Sequence, residues 1–229
     1  VETTDFTVTS ADESKEQGRI DEVDFLPSAN LIYKLTETMN LRGSFSQTLA
    51  RPNMREVAPF SAFDFIGGPI FTGNTDLQRS LIQNYDLRWE LFPKAGEIIA
   101  VSAYYKNFDD PIIYAFIPSS QNPEIKPVNV DEAKIYGVEL EYRKNLDFLS
   151  NSLRDFKFTT NVSFIHSETT IPGEELAAIR GSYISDFSDK RPFQDQSPFL
   201  FNASLVYNNL ENDSVIKEVR TEDFTITLK

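Results

Sequence analysis

The chain has 229 residues, 40% of them hydrophobic and 13% aromatic, with a formal net charge of −13, one histidine and no cysteine. The acidic balance excludes a nucleic-acid partner, whose phosphates call for clustered Lys and Arg. The missing cysteines and single histidine exclude disulfides, a Cys nucleophile and a multi-His metal centre, and no cofactor is implied. No run of about eighteen apolar residues occurs, so no helix is long and apolar enough to cross a membrane; strands can cross with only half of their residues apolar.

Residues 1–9 read as a strand or the end of one, and 10–21 as a polar loop. A second strand over about 23–35 places Phe25, Ala29, Leu31, Tyr33 and Leu35 on one face, since successive strand side chains alternate. Residues 36–39 form a tight turn. The third strand, about 40–50, sets Leu41, Phe45 and Leu49 against Asn40, Arg42, Ser44, Ser46 and Thr48. A long loop covers 51–75. The clearest alternation follows: Leu77, Leu81, Tyr85, Leu87, Trp89 and Leu91 are odd, while Asp76, Gln78, Ser80, Asn84, Asp86, Arg88 and Glu90 are even. A helix would scatter these residues around its circumference, whereas a strand gives one apolar and one charged face.

Residues 93–97 supply a Pro/Gly turn. The strand over 98–108 carries Ile99, Val101, Ala103 and Tyr105 on one face, and a loop with Pro111, Pro118, Pro123 and Pro127 fills 109–131. The next strand, 132–146, sets Tyr136, Val138, Leu140 and Tyr142 opposite Gly137, Glu139, Glu141 and Arg143. A moderate turn leads to a strand over 156–166, then a third long loop over 167–196 and a strand over 197–207. Residues 214–219 are too short to span, because a membrane strand needs about nine to eleven residues. Residues 224–229 alternate and read as part of a final strand running parallel in sense to 197–207.

Connections thus alternate short and long, and three structureless loops above about fifteen residues are foreign to compact soluble domains. They are ordinary in outer-membrane barrels, where periplasmic turns are tight and external loops long. The expected fold is all-β, an antiparallel transmembrane β-barrel in the outer membrane with about nine or ten strands in this chain. Turns 36–39, 93–97 and 147–155 are expected in the periplasm, and loops 51–75, 109–131 and 167–196 outside. The aromatics Tyr33, Trp89, Phe92, Tyr104, Tyr105, Tyr142 and Tyr207 lie near strand ends and are expected at the lipid–water interfaces. An open sheet cannot stand in lipid with unpaired edges, so the chain is expected to be part of a larger barrel, with further residues before Val1 and near 208–229.

Several stretches carry a resemblance. Residues 40–52 (NLRGSFSQTLARP), 73–77 (GNTDL), 84–90 (NYDLRWE), 102–112 (SAYYKNFDDPI) and 129–141 (NVDEAKIYGVELE) are similar, in order and spacing, to successive strands of TonB-dependent outer-membrane receptors. The similarity covers about residues 22–207, and its style most resembles receptors of Bacteroidota. The resemblance implies a barrel of about 22 strands closed by a plug. It implies import of a scarce or bulky ligand, with energy from the inner-membrane TonB complex reached through N-terminal regions outside this chain. The whole of 1–229 would then be the C-terminal part of the barrel, without the plug. A receptor-like barrel serving as a structural subunit of a larger outer-membrane complex, bound to a surface lipoprotein or other subunits, is the alternative. A small stand-alone barrel or barrel enzyme is a third.

The chemistry-bearing residues fit binding better than catalysis. Glu139 and Glu141 share a face about 7 Å apart along a strand, a spacing open to glycoside acid–base work. The same residues, with Arg42, Arg88, Glu90 and Arg143, equally suit a polar lumen wall. His166 lies near the end of a strand, and no G-x-S-x-G nucleophile motif accompanies it. Asp109–Asp110 and the acidic stretch 186–189 lack calcium-loop spacing. No catalytic and no metal residues are therefore assigned. Phe60, Phe63 and Phe65, with Tyr114 and Phe116 in the next loop, are the candidate ligand or partner contacts, because aromatic side chains are costly to leave in water.

Overall fold

The computed structural model describes residues 2–9, 15–63, 65–118, 122–182, 186–207 and 223–228. It opens with an antiparallel pair, β1 (Glu2–Thr9) and β2 (Lys15–Glu22), joined to each other and to no other strand of the described residues. Of the polar loop expected over 10–21, the described residues 15–21 are strand. Its residues have low β-propensity, and the backbone partner offered by β1 outweighs that preference.

One large sheet carries most of the remaining strands. Its strands are β3 (Ser28–Lys34), β4 (Met39–Ala50), β7 (Ser80–Leu91), β8 (Ile98–Asp109), β11 (Glu132–Asn145), β12 (Phe156–Thr170), β14 (Phe199–Tyr207) and β15 (Asp223–Leu228). Each pairs antiparallel with its chain neighbour in this series, so the sheet is an up-and-down meander. The short connections between β3 and β4, β7 and β8, and β11 and β12 all fall at one end. Residue Gly96 takes φ +79 in the second of these turns, a conformation that favours glycine. The strand β15, over most of the 224–229 segment, corrects an expectation. It pairs antiparallel with β14, Phe201 opposite Leu228, so it runs against β14 rather than in the same sense. Residues 214–219 lie outside the described residues.

The long connections are not structureless. Residues 51–79 contain a single turn of helix, α1 (Met54–Val57), then β5 (Ser61–Phe63) and β6 (Ile70–Thr72). Residues 110–131 contain β9 (Ile112–Ile117) and β10 (Glu124–Asn129). These four strands make a second sheet in the order β5-β6-β10-β9, with β6 and β10 parallel. The prolines read as loop residues mostly flank strands: Pro111 precedes β9, and Pro118 and Pro123 bracket the β9–β10 connection. Pro127 alone lies inside a strand and is fully buried. The third connection holds α2 (Gly173–Ser182), entered through Pro172 with Glu174 and Glu175 in its first turn, and β13 (Lys190–Arg191), which pairs with the end of β12. Acidic residues in a first turn oppose the helix dipole favourably.

The large sheet is inverted relative to a soluble core. Leu87 and Phe164 are 54% and 53% exposed, while Glu90 and Asn84 on the other face are 5% and 8% exposed. The outward residues align across strands. One row reads Leu31, Gly43, Leu87, Ala103, Val138, Phe164 and Phe199; the next reads Tyr33, Leu41, Trp89, Val101, Leu140, Val162 and Phe201. Soluble sheets do not leave such a continuous apolar face in water.

Candidate functional site

Three features are built on this frame: the limits of the apolar face, the charged network opposite it, and the assembly at the long-connection end.

The apolar face ends in aromatic rows. Phe45, Tyr85, Tyr105, Tyr136 and His166 are register neighbours on five successive strands. Phe45 and Tyr85 lie 5.0 Å apart by ring centroid, Tyr85 and Tyr105 6.2 Å, and Tyr136 and His166 4.9 Å. One step further out, the same face carries Gln47, Gln83, Asn107, Lys134 and Glu168. At the short-turn end, Tyr142 meets Phe158 at 6.4 Å and Phe156 meets Tyr207 at 5.0 Å. Along β12, Phe156 to His166 is a rise of ~33 Å, which a tilt of about 40° reduces to ~25 Å, the height of the apolar band of an outer-membrane barrel.

Of the aromatics expected at interfaces, Tyr33, Trp89, Tyr105, Tyr142 and Tyr207 lie on this face, and Phe92 lies in the turn just beyond β7. Tyr104 is a correction. It neighbours Tyr105, so it must point to the opposite face, where it stands between Ser102 and Lys106. Its hydroxyl rests over Gly137.

The polar face carries a charge network that spans four strands, β4, β7, β8 and β11. Arg42 on β4 and Arg88 on β7 are directly opposed, a pairing that like charges alone would destabilise. Glu90 lies between them and accepts from Arg42 Nε at 2.7 Å and Arg88 Nε at 2.8 Å. Arg88 also donates to Glu141 of β11 at 2.7 Å and to Ser102 Oγ at 2.9 Å, and Arg143 reaches Glu141 at 3.4 Å. The structure thus joins Arg42, Arg88, Glu90, Glu141 and Arg143. Glu139 shares their face but stands outside the network. With Arg88, Ser102, Tyr104, Lys106 and Gln196 it lines a cavity of about 520 Å³ further toward the long connections.

At that end the three connections interlock. Asn53 caps α1, accepting from Arg55 N and Glu56 N, and Glu56 returns a bond to Asn53 N, a complete capping box. The other oxygen of Glu56 accepts from the Tyr114 hydroxyl at 2.7 Å, tying the first connection to β9. Burial, then this bond to a carboxylate, pushes the Tyr114 phenol above its ordinary value. Phe71 packs edge-on to Tyr114 at 6.0 Å, with the Arg55 guanidinium 4.4 Å above the Phe71 ring. On the other side, Glu175 of α2 accepts from Phe116 N at 3.3 Å and from Arg191, while Arg191 donates to the Tyr114 carbonyl at 3.2 Å. Asn129 clasps residue 78, accepting from its N–H and donating to its carbonyl.

Tyr114 and Phe116, expected as ligand or partner contacts, are tied into this assembly instead, together with Glu56, Glu175 and Arg191, which the sequence did not single out. Of these ties only the Asn53–Glu56 capping box has a local sequence pattern, an Asn followed three residues later by Glu. Phe60, Phe63 and Phe65 are separate from the Tyr114 cluster: each is at least half exposed, and among the described residues none pairs with another ring.

A sheet that buries carboxylates and exposes a banded apolar face is the wall of an outer-membrane β-barrel. The chain belongs to the family described as TonB dependent receptor-like, beta-barrel, whose model matches residues 1–214. No curated protein matches. Among solved structures, the siderophore receptor PirA from Pseudomonas aeruginosa is 15% identical with a TM-score of 0.57, and covers 93% of this chain and 32% of its own. The siderophore receptor PirA from Acinetobacter baumannii is 15% identical with a TM-score of 0.57, covering 93% of this chain and 30% of its own. The copper transporter OprC is 15% identical with a TM-score of 0.55, covering 86% and 25%. These likenesses establish the fold, and the chain spans a third of those proteins or less.

Proposed function

We propose that the chain is the C-terminal part of the barrel wall of an outer-membrane receptor that imports a scarce or bulky ligand with TonB-supplied energy. Residues 36–39, 93–97 and 147–155 lie in the periplasm, and 51–79, 110–131 and 171–198 lie outside the cell. Arg42, Arg88, Glu90, Glu139, Glu141 and Arg143 line the lumen, where a polar wall keeps a translocating solute hydrated. The chain works by binding and passage, without covalent chemistry on its cargo. Plug and TonB-binding regions would be supplied by the remainder of the protein.

The observation that carries this reading is the interlocked assembly over a banded barrel wall. Glu56, Tyr114, Glu175 and Arg191 hold three outer connections in one arrangement, and a preorganised outer surface lowers the ordering cost of capturing a ligand. The test is uptake by cells with and without the complete gene, using ferric siderophores, cobalamin and oligosaccharides as cargo, each with and without a protonophore. Protonophore-sensitive uptake that disappears with the gene supports import. Uptake of every cargo unchanged by deletion overturns it.

A second reading, a seat for a surface protein, is favoured by Met54, Phe60, Phe63, Phe65 and Ile66. All five are exposed on the first connection, and apolar groups gathered there suit a partner. Double substitution of Phe63 and Phe65 by Ala should then reduce partner co-purification; unchanged uptake and co-purification would remove both roles from these rings.

A further inference from the structure

The apolar face of the large sheet is not smooth. Beside the aromatic row that starts at Phe45 and Tyr85 it holds an open groove of about 800 Å³. Small side chains make the floor: Ala29 on β3, Gly43 on β4 and Ala103 on β8. Gly43 is the informative one. Its φ lies outside the range that favours glycine, and a Cβ added there would meet nothing within 4 Å among the described residues. Neither conformation nor close packing requires a glycine, in contrast to Gly137, where a Cβ would clash with a backbone carbonyl. Glycine weakens the interior of a strand and often marks the close approach of another group. What the missing side chain supplies here is space on the lipid-facing side.

The shape of that space selects its occupant. Ala29 is the register partner of Phe45, and Leu31 that of Gly43. The floor therefore runs diagonally from Ala29 to Gly43, between walls made by Leu31 and Phe45. Diagonal neighbours on an antiparallel pair stand about 7–8 Å apart. One hydrocarbon chain in contact with both walls at about 4 Å fills that width, whereas a helix of about 10–12 Å diameter does not enter it. No water is available inside the band to fill the groove, so its occupant is hydrocarbon. Beyond the aromatic row the same face carries Gln47, Gln83 and Asn107 as register neighbours, then Lys134. Carboxamides both donate and accept, which suits a headgroup rich in hydroxyls, and Lys134 presents a cation to a headgroup phosphate.

We propose that the groove seats one acyl chain of a saccharide-headed lipid of the outer leaflet, with its headgroup on the row Gln47, Gln83, Asn107 and Lys134. The site lies outside the barrel and is separate from the lumen and from any cargo. The proposal rests on the orientation given above, with the long connections outside the cell. The experiment counts bound lipids by native mass spectrometry of the complete receptor in detergent, after incubation with lipid A or with phosphatidylethanolamine. Gly43→Leu fills the groove with an apolar side chain, and Ala103→Leu fills its other end. Val162→Leu alters the same face away from the groove. Heat-modified gel migration verifies that each variant is folded, and Ala103→Leu decides if Gly43→Leu does not fold.

The expected result is retention of lipid A in preference to phosphatidylethanolamine, with one lipid A fewer in Gly43→Leu and the full number in Val162→Leu. An equal lipid A count in wild type and the folded groove variants overturns the site, as does phosphatidylethanolamine retained as well as lipid A. Loss of a co-purifying protein from Gly43→Leu, in place of a lipid, overturns it too. The orientation is tested apart, by labelling Ile66→Cys on intact cells with an impermeant maleimide, against the unsubstituted receptor; Ile66 is fully exposed on the first connection. Labelling only after the outer membrane is permeabilised overturns the orientation. Labelling of intact cells with an unchanged lipid count overturns the groove alone.

Discussion

The Tyr104 hydroxyl lies against the backbone of Gly137, its register partner across β8 and β11: a Cβ built at Gly137 would stand 2.6 Å from that oxygen. The carbonyl of Phe164, on the strand beyond, would also be 2.6 Å away. A flexible side chain could give way, but the carbonyl is fixed by the sheet. Gly137→Ala is therefore expected to destabilise the barrel by about 1–3 kcal/mol, the usual cost of overpacking. Adding Tyr104→Ala should not rescue it, because the backbone clash persists. Midpoints of heat-modified gel migration for the single and double variants check this; full rescue would show that the ring alone required glycine.

The same pair shows what the sequence could and could not convey. Period-two alternation from Tyr85 to Leu91 gave both faces of β7 directly, and the partner rows followed once neighbouring strands were aligned. Adjacent Tyr104 and Tyr105 could not both lie on the apolar face, and proximity to a strand end said nothing about which one did. The connections were harder. Residues 112–117 are almost continuously apolar, so alternation does not mark them, and the parallel pairing of β6 with β10 joins residues more than fifty positions apart. That pairing is decided by tertiary contacts. The Glu175–Arg191 tie is likewise non-local and left no motif, whereas the Asn53–Glu56 box is local and did.

Glu90 neutralises two arginines that face each other, so its removal should be costly. Its side chain is 7% exposed, whereas those of Arg42 and Arg88 are 41% and 28% exposed. Breaking a fully buried pair costs about 3–5 kcal/mol; solvent access to these guanidiniums lowers the expectation for Glu90→Gln to about 1–3 kcal/mol. Glu139→Gln, outside the network, should change stability by under about 0.5 kcal/mol. Urea unfolding of both variants in detergent makes the comparison. Equal losses would mean that the network contributes nothing specific.

The outer assembly should titrate on the alkaline side. Tyr114 is pushed above its ordinary value of 10.0 by burial and by its bond to Glu56. A raised folded value stabilises the protonated form. The contribution is thus complete below the unfolded value and lost as pH rises through the higher folded one. The difference in 295 nm absorbance between wild type and Tyr114→Phe isolates this phenol. Its midpoint is expected above pH 10, with loosening of the first connection only beyond it. A midpoint at or below 10 would show that the Glu56 bond does not persist in solution.

If the aromatic row marks where lipid stops, charge substitutions locate that boundary. Leu87 lies one step inside the row, on the apolar face; Gln83 lies one step outside it on the same strand and face. An arginine facing lipid at mid-depth costs about 2–4 kcal/mol, and near an interface about 0–1 kcal/mol. Leu87→Arg, between these two depths, is therefore expected to impair insertion into phosphatidylcholine vesicles more than Gln83→Arg, although the two sites are only four residues apart. The contrast does not arise from strand propensity, since both positions accept the same side chain in the same strand. Equal penalties would place the boundary elsewhere and separate the Phe45–Tyr85–Tyr105–Tyr136–His166 row from the membrane interface. A larger penalty at Gln83 would reverse the assignment of the two directions along β7.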